Sequence, residues 1–437
     1  MERRTFIGTA VSLTAASYRR VLGANNKVRI GIIGLGMNGS THVQSLLSLK
    51  DEAEITAVCD IYSPRLDRGV SATRAKGYRD YQELLADKNV DAVIISTPDH
   101  WHARMAIDAM RAGKDVDVEK PMALTIEEAK EMVRVAKETG RVLAVDSEHM
   151  AHGVWKVAKA VVDAGVLGKL LWSQTSRSRN AKEPPWNYAI DADASPQNLD
   201  WDRWLGTTKK VPFSKERFFR WRRFWEYGGG IITDLYYHHI TPLIHVTGRP
   251  FPIRAVAAGG HYVYSRDVIE VPDTVILALD FANGASMSVG GSLANSVEAP
   301  IVVRGHEANM FFVGGSHLRP GAIIVQPERA FADVFPDKIR KLGLQGTWVE
   351  HLQDDTDSSQ RVKQRAFRIE SPPSESFDVN FLRCVRTREK PVLDGELGYR
   401  AQVAVVLGAE AFRQNRVTFF DPRLEQMVDR QPAGFER

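Results

Sequence analysis

Val28-Arg29-Ile30-Gly31-Ile32-Ile33, followed at once by Gly34-Leu35-Gly36-Met37-Asn38-Gly39 and answered further on by Asp60, decides how the rest of the chain is read. A short β-branched run entering a G-x-G-x-x-G loop, with helical spacing behind it (Thr41, His42, Val43, Leu46, Leu47), is a strand-loop-helix unit. The glycines let backbone approach a pyrophosphate, and the helix N-terminus stabilises its charge. An acid about 20 residues on holds a ribose hydroxyl. A bare glycine turn would be a tight corner only. Here a second apolar run, Glu54 to Cys59, ends directly in Asp60, which turns the corner into a dinucleotide site. Asp60 suits free ribose hydroxyls and repels a 2'-phosphate, favouring NAD over NADP, a preference that Arg65 and Arg68 weaken slightly.

Outward from this unit, strand runs at Ala92 to Ser96, Val116 to Val118 and Val142 to Val145 alternate with helical patterns at Trp101 to Arg111 and Ile126 to Thr139. Continuous apolar strands separated by helices predict a doubly wound parallel sheet, a Rossmann domain over residues 27–150. Asp117 interrupts one of these strands without explanation. Beyond Met150 the character changes. A helix over Val154 to Ala164 stops at Gly165, and Arg177 to Pro212 is rich in Trp, Pro and Asn. Strand-like runs follow at Arg254 to Ala258, Thr274 to Phe281, Ala285 to Gly290 and Ile301 to Arg304, with an Asn283-Gly284 turn. They predict an α+β domain over 151–437 with an open, mostly antiparallel sheet. Ser376 to Gln414 reads as largely helical and packs back on the first domain, and Gln353 to Gln360 as a polar loop.

The composition is that of a globular protein: 437 residues, 43% hydrophobic, 26% charged. The net charge of +4 is small for this length and gives no reason to expect nucleic acid. Arg217-Phe-Phe-Arg-Trp-Arg-Arg-Phe-Trp-Glu-Tyr227 interleaves cations and aromatics as single-strand binders do, but the near-neutral body argues for packing instead. Two cysteines, Cys59 and Cys384, sit in apolar patterns and read as small buried residues. No apolar run reaches the length of a membrane span. Arg3-Arg4-Thr5-Phe6-Ile7 before the small-residue stretch Gly8 to Ser17 is similar to a twin-arginine export signal, so residues 1–26 are expected to be signal and linker, and the protein periplasmic. If the signal is not used, the location is cytoplasmic.

Glu119-Lys120-Pro121 after Gly113-Lys114-Asp115-Val116-Asp117-Val118, Thr97-Pro98-Asp99-His100-Trp101-His102, and Tyr227-Gly228-Gly229-Gly230 running to His239 complete the set of motifs. With the glycine loop, in this order, the chain resembles the glucose-fructose oxidoreductase and inositol dehydrogenase family, Gfo/Idh/MocA, over nearly its whole length. The resemblance implies that Lys120 lies at the nicotinamide end and contacts the reacting hydroxyl, with Asp234 and His238 facing it from the second domain. If that segment is helical, Asp234 and His238 share a face, and the carboxylate holds one imidazole nitrogen while the other takes a proton. His238 is the expected general base and Lys120 its electrostatic helper, lysine needing a pKa lowered by a nearby nicotinamide cation to act otherwise.

Gly34, Gly36, Met37, Asn38, Gly39, Asp60, Thr97, Pro98, Trp101, His102, Glu119 and Lys120 are the expected cofactor contacts, and Arg177, Trp186, Tyr188 and His239 the expected substrate contacts. Glu148, His149 and His238 could ligate a metal, but no H-E-x-x-H or cysteine cluster supports one, and none is expected. The expected reaction is hydride transfer between tightly held NAD and a hydroxyl carbon of a sugar, glycoside or cyclitol, in a homo-oligomer. Two rivals stand beside it: a redox-neutral glycosidase working by transient oxidation and elimination, and a non-catalytic sugar or dinucleotide sensor, which the presence of Lys120 and His238 disfavours.

Overall fold

The computed structural model describes residues 27–354 and 361–435. The twin-arginine-like stretch lies outside them, as does most of the polar loop, of which Gln353 and Asp354 end a strand.

The first domain alternates strand and helix: β1 Val28–Ile33, α1 Met37–Ser48, β2 Ala53–Cys59, α2 Ser63–Thr73, β3 Lys76–Tyr78, α3 Tyr81–Ala86, β4 Ala92–Ile95, α4 Asp99–Arg111, β5 Asp115–Glu119, α5 Ile126–Thr139 and β6 Leu143–Asp146. All strands run parallel in the order β3-β2-β1-β4-β5-β6. The expected strands are present, and β3 joins them at the edge, three residues too short to show a period. The order reverses between β1 and β4, so the C-terminal ends Ile33, Cys59 and Ile95 stand side by side and open a crevice. α5 begins with a capping box between Thr125 and Glu128. α1, by contrast, starts at Gly36 with no side-chain cap, leaving its first N–H groups to face the crevice.

In the second domain, α6 Gly153–Asp163 precedes β7 Leu170–Ser176, and α7 Tyr236–Thr247 follows a long irregular stretch. Strands β8 Pro252–Gly260, β9 Thr274–Phe281, β10 Ser286–Ser292, β11 Val302–Gly305, β12 Ala308–Ser316, β13 Arg319–Pro327, β14 Thr347–Asp354, β15 Arg361–Glu370, β16 Thr418–Asp421 and β17 Gln426–Val428 complete an eleven-stranded sheet with β7. Only β7 and β10 pair in parallel. Helices α8 Phe377–Thr387 and α9 Gly395–Gln414 then return to the first domain. α9 covers one sheet face while Gln402 donates to the Ala123 carbonyl (2.6 Å), and Gly398 accepts from Tyr237 (2.9 Å). Among the described residues nothing covers the other face at Trp172, Val256 and Ile276. Among the described residues no helix is long and apolar enough to cross a membrane.

Asp117 finds its place here. It is fully buried with neither carboxylate oxygen bonded, beside a cluster in which His42 Nδ1 meets Asp378 (3.0 Å) and His42 Nε2 lies 3.4 Å from Glu119 and 3.5 Å from Asp146. Burial pushes the Asp117 carboxyl well above the carboxylate range, His42 offsetting only part of it. His42, held by Asp378 and Glu119 against the burial penalty, stays an imidazolium.

Candidate active site

The crevice floor is the glycine loop. Gly34 holds φ +89°, and a Cβ there would come within 2.7 Å of the Ser96 carbonyl oxygen. A Cβ on Gly39 would lie 1.9 Å from the Gly34 carbonyl oxygen, so the loop closes only with hydrogen at both positions. Asp60 accepts from the backbone N–H of Leu35 and of Tyr62, each at 2.8 Å, which fixes its carboxylate at the end of β2. Met37, Asn38, Thr97, Pro98, Trp101, Glu119 and Lys120 line the same cleft. The Ser96 and Thr97 hydroxyls are buried on its wall without a partner, polar groups that a bound nucleotide can satisfy. With an uncapped helix start, a fixed acid and these hydroxyls, the residues present fit a dinucleotide.

His102 departs from its expected role. It is 1% exposed, with Nδ1 2.7 Å from the Pro121 carbonyl and Nε2 2.8 Å from that of Thr97. It ties two cleft loops together from behind, because the first turn of α4 rotates it inward while Trp101 faces out. Asn38 donates to Glu119 (2.9 Å), joining the glycine loop to the residue before Lys120.

At the far end of the cleft, Lys120 Nζ donates to Asp234 Oδ1 at 2.6 Å and to the Asp234 carbonyl at 3.2 Å. Arg222 Nε lies 3.3 Å from the same oxygen, and Trp186 Nε1 donates to Oδ2 at 3.1 Å. Burial would raise the Asp234 carboxyl, but the Lys120 and Arg222 cations hold it far below the carboxylate range. Burial would lower Lys120 in turn, and Asp234, with a smaller share from Glu119, reverses this, so Lys120 stays an ammonium.

The expected hold of Asp234 on His238 is not what forms. Ile231–Leu235 is a turn of π-helix ahead of α7, and the Asp234 carboxylate is spent on Lys120, Arg222 and Trp186, so it bonds no nitrogen of His238. His238 Nδ1 instead lies 2.8 Å from Ser147 Oγ, just past β6. Burial, then the nearby Lys120 cation, lowers His238 to about 3, so it is neutral, with its second ring nitrogen turned away from Ser147. Its ring packs 5.1 Å from that of His149, whose Nε2 meets Glu148 at 3.0 Å. Glu148, His149 and His238 thus do converge, with one donor atom each within 4.8 Å.

Of the expected substrate contacts, Tyr188 lies on the cleft wall. Trp186 is buried at φ +54° under the Arg179 guanidinium (5.1 Å) and touches the site through Asp234. Arg177 pairs with Glu298 (3.3 Å). His239 is turned to β7, its Nδ1 3.2 Å from Thr175 Oγ1 and its ring 5.4 Å from His317, because one residue along α7 rotates it onto the sheet. The basic aromatic run is divided. Phe218, Phe219 and Tyr227 are core, Arg217 and Arg223 pair with Glu226 and Glu216, and Trp221 and Arg222 face the cleft. The run itself was the signal for Arg222. Nothing in the sequence marked Ser147.

Two family models match the chain. One described as "Oxidoreductase family, NAD-binding Rossmann fold" covers residues 28–147, and one described as "Oxidoreductase family, C-terminal alpha/beta domain" covers 159–419. A glycosyl hydrolase family 109 protein of Shewanella sp. (strain ANA-3) is 36% identical over 160 residues, 34% of each chain. An inositol 2-dehydrogenase of Salmonella agona (strain SL483) is 32% identical over 161 residues, 36% of this chain and 48% of that one. The match thus spans about a third to a half of these relatives' length. The fold is also that of the WlbA dehydrogenase from Bordetella pertussis in complex with NADH and UDP-GlcNAcA (TM-score 0.64, 20% identity, 90% of this chain and 98% of that one). An aldose-aldose oxidoreductase from Caulobacter crescentus shares it (TM-score 0.62, 17% identity, 90% and 100%). With both domains matched in order over most of its length, the chain belongs to the Gfo/Idh/MocA oxidoreductase family and carries that family's NAD-binding Rossmann domain.

Proposed function

We propose that the protein is an NAD-dependent oxidoreductase acting on a hydroxyl carbon of a sugar, glycoside or cyclitol. One observation carries this reading: the dinucleotide cleft ends at a buried Lys120 ammonium held by Asp234, with a neutral, half-buried His238 close enough to feel its charge. When bound there, the nicotinamide accepts or returns the hydride. His238 Nε2 takes the proton of the reacting hydroxyl, since Nδ1 is turned to Ser147. Lys120 stabilises the charge that develops on that oxygen, and its own proton stays in place because Asp234 is beside it. Tyr188 and Trp221 supply flat apolar walls for a sugar ring. Incubating the purified protein with a panel of sugars, glycosides and inositols while following NADH absorbance tests the proposal, and absence of any nicotinamide reduction or product would defeat it.

The likeness to glycosyl hydrolase family 109 proteins supports a second reading, redox-neutral cleavage of a glycoside by transient oxidation and elimination. Release of the aglycone with no net NADH change selects it over a dehydrogenase. We further propose a tightly held cofactor, export through the Arg3-Arg4 segment, and a homo-oligomer built on the bare sheet face with Trp172, Val256 and Ile276.

A further inference from the structure

The NAD cleft is roofed by the other domain. The stretch from Trp186 to Tyr227 crosses back over the turn between β2 and α2, where Ser63 N–H donates to the Asn198 carbonyl (2.9 Å) and Asp200 N–H to that of Ile61 (3.3 Å). Tyr62 Oη donates to Asp193 (3.1 Å), and Trp101 Nε1 donates to the Trp204 carbonyl (2.8 Å). Under this roof, at the start of α2, stands Arg65. Its guanidinium carbon lies 4.9 Å from the Phe218 ring, 5.3 Å from Phe219 and 5.8 Å from Tyr62. Among the described residues no carboxylate pairs with it, whereas Arg203, on the same wall, is spent on Asp80 and Asp200.

These rings hold the cation through its charge, and among the described residues no oxygen takes its N–H groups. One edge of the guanidinium points at the glycine loop, for a Cβ built on Gly36 would meet Arg65 Nη1 at 3.5 Å and almost nothing else. Gly36 is the residue at the uncapped start of α1, where a phosphate group would lie. We infer that Arg65 is a clamp for the pyrophosphate of the bound dinucleotide, closed from above by Phe218 and Phe219 of the second domain. Because the rings that orient the cation belong to the roof, seating the roof and gripping the phosphate are one event. This rests on the dinucleotide reading of the cleft and adds a residue and a mechanism of retention to it.

Nucleotide binding, with no turnover, tests the clamp. NADH fluorescence and calorimetry on the full chain, stripped of nucleotide, should show Arg65→Ala weakening NAD, NADH and ADP alike by tenfold or more, while adenosine affinity stays as in the wild type. Arg65→Lys, which keeps charge but not the planar fork, should fall between, and Phe218→Leu with Phe219→Leu should speed release of NADH with Arg65 intact. A loss confined to NADP would assign Arg65 to a 2'-phosphate and overturn the pyrophosphate clamp, as would unchanged ADP affinity in Arg65→Ala and Arg65→Lys, both melting as the wild type does. Wild-type protein that binds no nicotinamide nucleotide would defeat the dinucleotide reading itself, a result distinct from either.

Discussion

His238 takes its hydrogen-bond partner from Ser147, 2.8 Å away across the domain boundary, and not from Asp234 four residues earlier. A serine hydroxyl can fix the ring without charging it, so the histidine is oriented and kept neutral at once. Ser147→Ala should therefore lower kcat by roughly three- to tenfold with KM little changed, whereas His238→Ala should cost on the order of 10²–10⁴ in kcat/KM, the range of a general base. Steady-state kinetics on any substrate found in the screen distinguishes the two.

Lys120 and Asp234 form the second test. Asp234 is the larger of the two carboxylates that offset the burial penalty on Lys120, so Asp234→Asn should let the ammonium lose its proton at lower pH. The alkaline limb of the pH-rate profile then moves to lower pH relative to the wild type. Lys120→Met leaves Asp234 buried against Arg222 and Trp186, and a loss of 10² or more in kcat is expected.

Asp117 gives a prediction about stability with a definite sign. Its folded pKa is raised, so its contribution is fully present below the unfolded value near 3.8 and is lost as pH rises through the folded value. Asp117→Asn removes that loss. The variant's Tm should exceed the wild type's at pH 8, and the gap should close toward pH 4, as thermal melts across that range would show.

Gly39 is the fourth. A methyl group there meets the Gly34 carbonyl, which cannot move without opening the loop, so Gly39→Ala should cost about 1–3 kcal/mol of stability and most of the NADH affinity. Chemical denaturation and NADH fluorescence read the two effects separately.

The first domain was legible because its signals are local. Ala92 to Ile95 is buried throughout and reads as an unbroken apolar run, Val28 to Ile33 is broken only by Arg29, and the glycine loop needs its glycines for reasons visible in the spacing. The sheet from Ala308 to Glu370 was missed, since its strands find partners across hairpins and its longest, Arg361–Glu370, is mainly polar. At the site, the sequence named Lys120, Asp234 and His238, which the structure brings near one another, but it did not show who holds whom. Four-residue spacing says which residues are neighbours on one segment, whereas Lys120, Arg222 and Trp186 reach Asp234 from three other segments and take its carboxylate first. Ser147 had no sequence signal, because its role depends on how two domains meet.

The roof over the crevice makes the two domains share one boundary, with rings from one and the glycine loop of the other on either side of Arg65. Ligand bound at a seam stabilises both sides in proportion to its occupancy. Saturated protein should then melt as a single cooperative body, and stripped protein should be the form in which the halves come apart.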